Sequence, residues 1–317
     1  MFAYYVHHLS PFVFQFPNGV GPRWYGLAYV MAFVVGTWLY RRLAERGYSE
    51  LKPNQVSDFI TWAALFGVLL GGRLGYFLFY DLEGIIQDPL IFFRVWEGGM
   101  ASHGGILGLF FYTLWYARKH KISWTGIGDN LVVVAPIGIF FGRMANFING
   151  ELYGRITKVP WAMQFPAELQ NASIWDQKLT SLDRALGQYT GTANLTTPLA
   201  IIEEARQSPA LRNLLRTVLD PRHPSQLYGA ALEGILLFTI LWVVRTKFQV
   251  KNGVLTGLFF IVYAIVRILG EQFREPDASL IGPLTRGQFY SLFMIIIGVA
   301  FLIWSRFQKP LEQGRSV

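Results

Sequence analysis

Cysteine is missing altogether from the 317 residues, which excludes a disulfide framework and a cysteine-ligated metal. Charge is scarce too: Asp, Glu, Lys and Arg make up 15% of the chain, against about 25% in soluble domains. No basic stretch precedes the first apolar run and no small-residue cleavage site follows it, so that run reads as a retained helix. There is no His-x-x-x-His pair, and the five histidines are scattered, so no metal site is expected. With no thiol and no G-x-S-x-G elbow, a covalent enzyme intermediate is not expected.

What the chain has is apolar residue in long runs. Hydrophobic residues are 52% of the total, gathered in stretches near the roughly 20 residues that one membrane span needs. The formal charge of +8 could suit nucleic acid, but the basic residues sit at the ends of apolar runs and form no stripe. A membrane-embedded protein with no nucleic-acid partner is expected.

Seven candidate spans can be drawn: 24–40, 59–80, 100–117, 127–147, 225–244, 253–270 and 287–304. The fourth holds Asp129 and Pro136. Residues 81–99 are too polar to span, and Phe92, Phe93 and Trp96 suggest an interfacial segment. The spacing of Leu and Ile over 199–219 predicts helix. The expected fold is therefore an all-α polytopic membrane protein, about seven transmembrane helices with a small extracytoplasmic head domain. Residues 1–147 would carry spans one to four, 148–222 the head, and 223–317 spans five to seven.

Orientation follows from the basic residues. Arg41, Arg42, Arg46, Lys52, Arg118, Lys119, Lys121, Arg245, Lys247, Lys251, Arg306, Lys309 and Arg315 fall on one side. Arg23, Arg94, Arg274 and Arg286 fall on the short loops opposite. Thirteen against four puts the N-terminus outside and the C-terminus in the cytoplasm.

Ionisable residues inside spans are costly and mark function. Arg73, Arg143, Arg267 and Glu271 all lie late in their spans toward the predicted outer face, and His103 opens the third span on that side. Arg143 and Asn146 share a helix face, as do Tyr263, Arg267 and Arg274 at i, i+4 and i+11. Such faces would form a cationic pocket suited to a phospholipid phosphate, which a planar guanidinium binds in two-pronged fashion. Blander readings stand beside these. Arg73 could snorkel to the headgroups, Arg267 and Glu271 could be a structural ion pair, and His7 and His8 read as interfacial. Glu233 and Asp129 read as satisfied inside the bundle. The glycines around His103 could mean close packing or a bend that presents the imidazole.

The run Gly142-Arg143-Met144-Ala145-Asn146-Phe147-Ile148-Asn149-Gly150-Glu151-Leu152-Tyr153-Gly154-Arg155 resembles the signature of the prolipoprotein diacylglyceryl transferase family. Other segments agree in order: 23–27 (RWYGL), 71–76 (GGRLGY), 98–105 (GGMASHGG), 222–228 (RHPSQLY) and Arg267 through Phe273-Arg274-Glu275-Pro276-Asp277. Two departures are Gly229, where some relatives have Glu, and residues 167–219, which match nothing in the pattern.

The resemblance implies an enzyme of the bacterial cytoplasmic (inner) membrane. It would move the diacylglyceryl group of phosphatidylglycerol onto the lipobox cysteine of prolipoproteins and release glycerol phosphate, with no cofactor. It also implies that Arg143 and Arg267 are headgroup arginines, with Asn146, Glu151 and Gly154 in the signature. Tyr25, His103, Tyr263, Glu271 and Arg274 fall on family positions linked to function, and Arg73 joins the expected substrate-contacting set. His103 could be the thiol's general base, or could hydrogen-bond substrate or a carboxylate. The competing class is a phospholipid or anion transporter. That would ask for polar residues at both leaflets and usually a repeated half, and no internal repeat is visible.

Overall fold

The structure, a computed structural model, describes residues 4–17, 19–94, 98–276 and 280–308. Trp96, Asp277, Lys309 and Arg315 lie outside the described residues. Among the described residues five helices are long and apolar enough to cross a membrane: Pro53–Phe79, Trp124–Asn149, Ser225–Lys247, Val254–Glu271 and Arg286–Ser305. They leave large apolar side chains uncovered, for example Phe293, Ile296 and Ile303 at 51, 65 and 53% exposure, which suits lipid better than water.

The two other expected spans also form as helices, Trp24–Glu45 and Ser102–His120. They fall outside that apolar set. Arg41, Arg42 and Glu45 dilute the first, and His103, three glycines and the Arg118-Lys119-His120 end dilute the second. Two spanning helices contain a π-helical stretch, Ala63–Leu70 and Ala230–Leu236. There the carbonyl bonds reach one residue further along than in an α-helix.

The chain divides into two compact units, with boundaries inside helices. One comprises the chain up to Ala32, Pro136–Thr239 and Ile261–Ile296; the other comprises Phe33–Ala135, Ile240–Phe260 and the residues from Ile297 on.

The first unit contains a helical group with its own core. Helices Ala172–Leu186, Pro198–Gln207 and Pro209–Leu215 start where the sequence supplies a cap. Asn171 accepts from the amides of Ser173 and Ile174, Thr197 from that of Ala200, and Ser208 from that of Leu211, and the last two helices open on proline. Leu169, Leu182, Ile201, Leu211 and Leu215 are fully buried among them, with Val6. A small sheet joins distant chain segments: β1 (Tyr5–Val6) pairs parallel with β2 (Met163–Gln164), which pairs antiparallel with β3 (Pro221–Arg222). The all-α expectation is corrected to that extent.

The second unit pairs Pro53–Phe79 with Ser102–His120 through glycine. A methyl on Gly104 would lie 2.3 Å from the Gly71 carbonyl oxygen and 2.7 Å from the Gly75 Cα. One on Gly108 would lie 2.2 Å from the Gly67 carbonyl oxygen. Spaced four apart on each helix, these glycines let the two backbones touch. In the same unit, Asp129 accepts from the backbone amides of Gly253 and Thr256 at 2.8 Å and from the Thr256 hydroxyl at 2.7 Å. It thereby caps the start of Val254–Glu271.

Candidate functional site

The signature begins as helix and ends in a turn that its own residues dictate. Trp124–Asn149 stops at Gly150, whose φ of +74° is the left-handed conformation glycine adopts without cost. The Glu151 amide bonds back to the Asn146 carbonyl at 3.1 Å and the Gly150 amide to that of Phe147 at 3.0 Å, a Schellman closure. The Asn146 side chain then donates to the Glu151 carboxylate at 2.7 Å, locking the turn from outside. Leu152 follows with φ +54°, a conformation uncommon in a branched residue.

Neighbouring segments brace this strained loop. Gln226 donates to the Glu151 carbonyl at 2.6 Å and the Ser225 hydroxyl to the Leu152 carbonyl at 2.9 Å. Gly154 donates to the His223 carbonyl at 2.8 Å and forms a bridge with Arg274. A methyl on Gly154 would come within 2.4 Å of the Phe273 carbonyl oxygen and 2.5 Å of that of His223, so only glycine fits. Arg222, paired with the fully buried Glu168, also reaches the Gly154 carbonyl at 3.3 Å.

Three spanning helices of this unit meet in an ion network. Arg143 places Nε and Nη2 on Oε2 of Glu233, at 3.1 and 2.8 Å. Arg267 places Nη1 on the other oxygen of Glu233 at 3.1 Å and Nη2 on Glu271 at 2.6 Å. Both carboxylate side chains are nearly inaccessible, at 3 and 5%, while the arginines keep 16 and 17% exposure. Small residues allow the approach. A methyl on Gly234 would lie 2.7 Å from the Phe140 Cβ, and one on Gly229 would lie 3.0 Å from Arg143 Nε. The departure at Gly229 thus leaves room for the Arg143 stem. Gly287 does the same for the other end, since a methyl there would sit 2.7 Å from the Glu271 carboxyl and 3.2 Å from Arg267 Nε.

This arrangement changes several expectations. Arg143 is not an unpartnered buried cation, because Glu233 answers it. The expected cationic pocket is balanced, with two arginines against Glu233 and Glu271. Glu233 is satisfied inside the bundle, as its place within a span suggested, and what the sequence did not give is that both its partners are the expected headgroup arginines. Arg274 does not share a helix face with Tyr263 and Arg267, because the helix ends at Glu271 and the chain turns through Gln272 and Phe273. Tyr25 lies at the start of Trp24–Glu45, its ring 5.4 Å from that of Tyr29. Tyr263 is half-buried on the Arg267 helix.

His7 is not interfacial. It is 6% exposed, stacked on Phe165 at 5.4 Å and edge-on to Phe147 at 5.5 Å. Its burial, partly offset by a hydrogen bond to the Phe147 carbonyl, lowers the imidazole pKa to about 4.

Arg73 and His103 belong to the second unit. Arg73 is 3% exposed and donates to the carbonyls of Phe92 at 2.9 Å, Gly99 at 3.0 Å, and Gly98 and Ile91, with its guanidinium over the Phe77 ring. Its fork holds the backbone at Ile91, Phe92, Gly98 and Gly99, so neither snorkelling nor an open phosphate-binding face describes it. His103 is exposed in the first turn of Ser102–His120. The glycines around it divide the work: Gly98 and Gly99 adopt φ of +87° and +78° and make the bend, whereas Gly104 makes the helix contact. Among the described residues no three His, Asp or Glu side chains gather as metal ligands would.

Residues 11–304 match the family described as prolipoprotein diacylglyceryl transferase. The chain belongs to that family. Curated relatives named phosphatidylglycerol–prolipoprotein diacylglyceryl transferase align along nearly the full length. The one from Allorhizobium ampelinum is 38% identical over 312 residues, 94% of this chain and 90% of the relative. That from Vibrio cholerae is 38% identical over 314 residues, 95% and 96%. That from Bradyrhizobium diazoefficiens is 40% identical over 299 residues, 90% and 88%. The family's match spans both compact units, so it covers the ion network, the braced signature loop and the His103 turn alike.

Proposed function

We propose that this chain transfers the diacylglyceryl group of phosphatidylglycerol to the lipobox cysteine thiol of prolipoproteins. A glycerol carbon–oxygen bond beside the phosphate breaks, a carbon–sulfur thioether forms, and glycerol phosphate leaves. The observation that carries this reading is the sharing of one buried carboxylate, Glu233, by Arg143 and Arg267.

An alkyl phosphate leaves only if its growing charge is stabilised. Each guanidinium has five N–H donors, and the bonds to Glu233 and Glu271 leave others for a phosphate. Glu233 fixes both forks before substrate arrives, which is the preorganisation that makes such donors effective in a water-poor site. Asn146, Glu151, Gly154, Glu271, Arg274, Tyr25 and Tyr263 complete the proposed substrate site. The substrate thiol, with an ordinary pKa of about 8.5, must lose its proton. His103 is the proposed acceptor.

The reading includes seven spans, counting Trp24–Glu45 and Ser102–His120, in the bacterial inner membrane. The N-terminus and the 148–222 head lie outside and the C-terminus in the cytoplasm. Single cysteines at Lys119 and Ser181 test this on an otherwise cysteine-free chain: an impermeant thiol reagent should label 181 and spare 119.

The deciding assay uses purified protein, phosphatidylglycerol and a lipobox peptide. Glycerol phosphate release matched by thioether-linked peptide is expected. Lipid movement between leaflets with no covalent product would support the transporter reading instead.

A further inference from the structure

A lipid-shaped groove lies wholly within the second unit. Pro53–Phe79 and Ser102–His120 border a groove of about 480 Å³, within the usual size range for small-molecule sites. Its lining changes character along its length. On the first helix Asp58, Trp62 and Phe66 recur every four residues, so they form one stripe. On the second, His120, Lys119 and Trp115 run the same way, from charged to aromatic. Trp62 stacks on Phe66 at 5.3 Å, and the Lys119 ammonium lies 4.8 Å from the Trp115 ring. The groove is therefore polar at one end and apolar at the other, as a phospholipid is.

The charged end is specific in sign. Lys119 offers a cation on one helix and Asp58 an anion on the other. Neither makes an ion pair among the described residues. An anionic headgroup would meet Lys119 and His120 but be repelled by Asp58. A headgroup with both a phosphate and a primary ammonium would satisfy all three. We propose that this groove holds an aminophospholipid of the phosphatidylethanolamine type, phosphate on Lys119 and His120, ammonium on Asp58, with an acyl chain along Trp62, Phe66 and Trp115. This site takes no part in the proposed transfer, and its test does not depend on that reaction.

The test offers the purified full-length chain equal amounts of phosphatidylethanolamine and phosphatidylcholine in detergent and counts retained lipid by native mass spectrometry. Retention of phosphatidylethanolamine at this groove above phosphatidylcholine is expected, because a trimethylammonium cannot hydrogen-bond Asp58. Partly exposed ion pairs are worth about 0.2–1 kcal/mol, so Asp58→Asn and Lys119→Gln should each lower that retention about 1.4- to 5-fold. Thermal stability is followed in parallel; both side chains are exposed, so little change is expected there. Equal retention of phosphatidylethanolamine and phosphatidylcholine, or a phosphatidylethanolamine preference that survives both substitutions, would overturn the assignment.

Discussion

Arg143 meets Glu233 through Nε and Nη2 on a single carboxylate oxygen, which leaves the second oxygen for Arg267. That division makes Glu233 a hinge pin between two helices rather than a simple counter-ion. Glu233→Gln keeps the shape but has only one oxygen, so it can hold one arginine at most. Turnover should fall about 10²–10³-fold, the usual cost of losing a preorganised donor. Glu233→Ala leaves Arg143 without its carboxylate and Arg267 with Glu271 alone, and should also lower stability by about 3–5 kcal/mol. Steady-state kinetics beside thermal melts separate the two effects, and near-normal turnover in Glu233→Gln would remove the coupling role.

Lysine carries the charge of arginine but not its fork. Arg143→Lys should therefore lose the two-point bond to Glu233 and be severely impaired, and Arg143→Ala should be worse. Phosphatidylglycerol binding and turnover at matched expression and stability are the measurements. A stable Arg143→Ala enzyme with normal rate would leave the headgroup to Arg267 alone.

Two glycines probe the site without touching charge. Gly154→Ala forces a methyl into two backbone carbonyls, and Gly287→Ala pushes one into the Glu271 carboxyl. Strain of about 1–3 kcal/mol is expected for each. Gly154→Ala should lower folding yield and activity together. Gly287→Ala, whose clash is with a side chain, should reduce turnover more than melting temperature.

His7 sets an acid limit. Its pKa is about 4 in the folded chain against 6.5 when free, because burial disfavours the cation. On acidification the unfolded chain takes up this proton first, so its contribution to stability is whole above pH 6.5 and declines toward pH 4. His7→Phe should flatten the melting-temperature profile across that window. An unchanged slope would mean that another group governs it.

If His103 accepts the thiol proton, His103→Gln should cut turnover about 10²–10⁴-fold. Raising the pH should then recover much of the loss as the peptide thiol ionises by itself. Loss with no recovery would assign the residue to binding or to local structure.

Helical segments were legible because they are local. Apolar run length located four of the long apolar helices to within three residues at each end and placed the start of the fifth, Pro53–Phe79, six residues late, and the helix expected over 199–219 divides at Ser208 into Pro198–Gln207 and Pro209–Leu215. The cost of charge inside a span also pointed to Arg143, Arg267 and Glu271. What could not be read were side-chain partners far along the chain. Glu233 lies 90 residues from Arg143 and 34 from Arg267. Arg73 looked like a headgroup ligand because its acceptors are backbone carbonyls, which every residue has and no sequence advertises. His7 looked exposed because its burial depends on a strand pairing with Met163 and Gln164. Arg274 looked helical because periodicity does not announce where a helix stops.

The π-helical stretch Ala230–Leu236 has Glu233 near its middle. Removing one residue there would let the segment rewind as ordinary α-helix and turn Glu233 by about 100° relative to the helix beyond. Composition, charge and apolar length would be almost untouched, yet the carboxylate would swing away from one or both arginines. Chain length within those seven residues is thus as much a part of the site as the identity of the acid it carries.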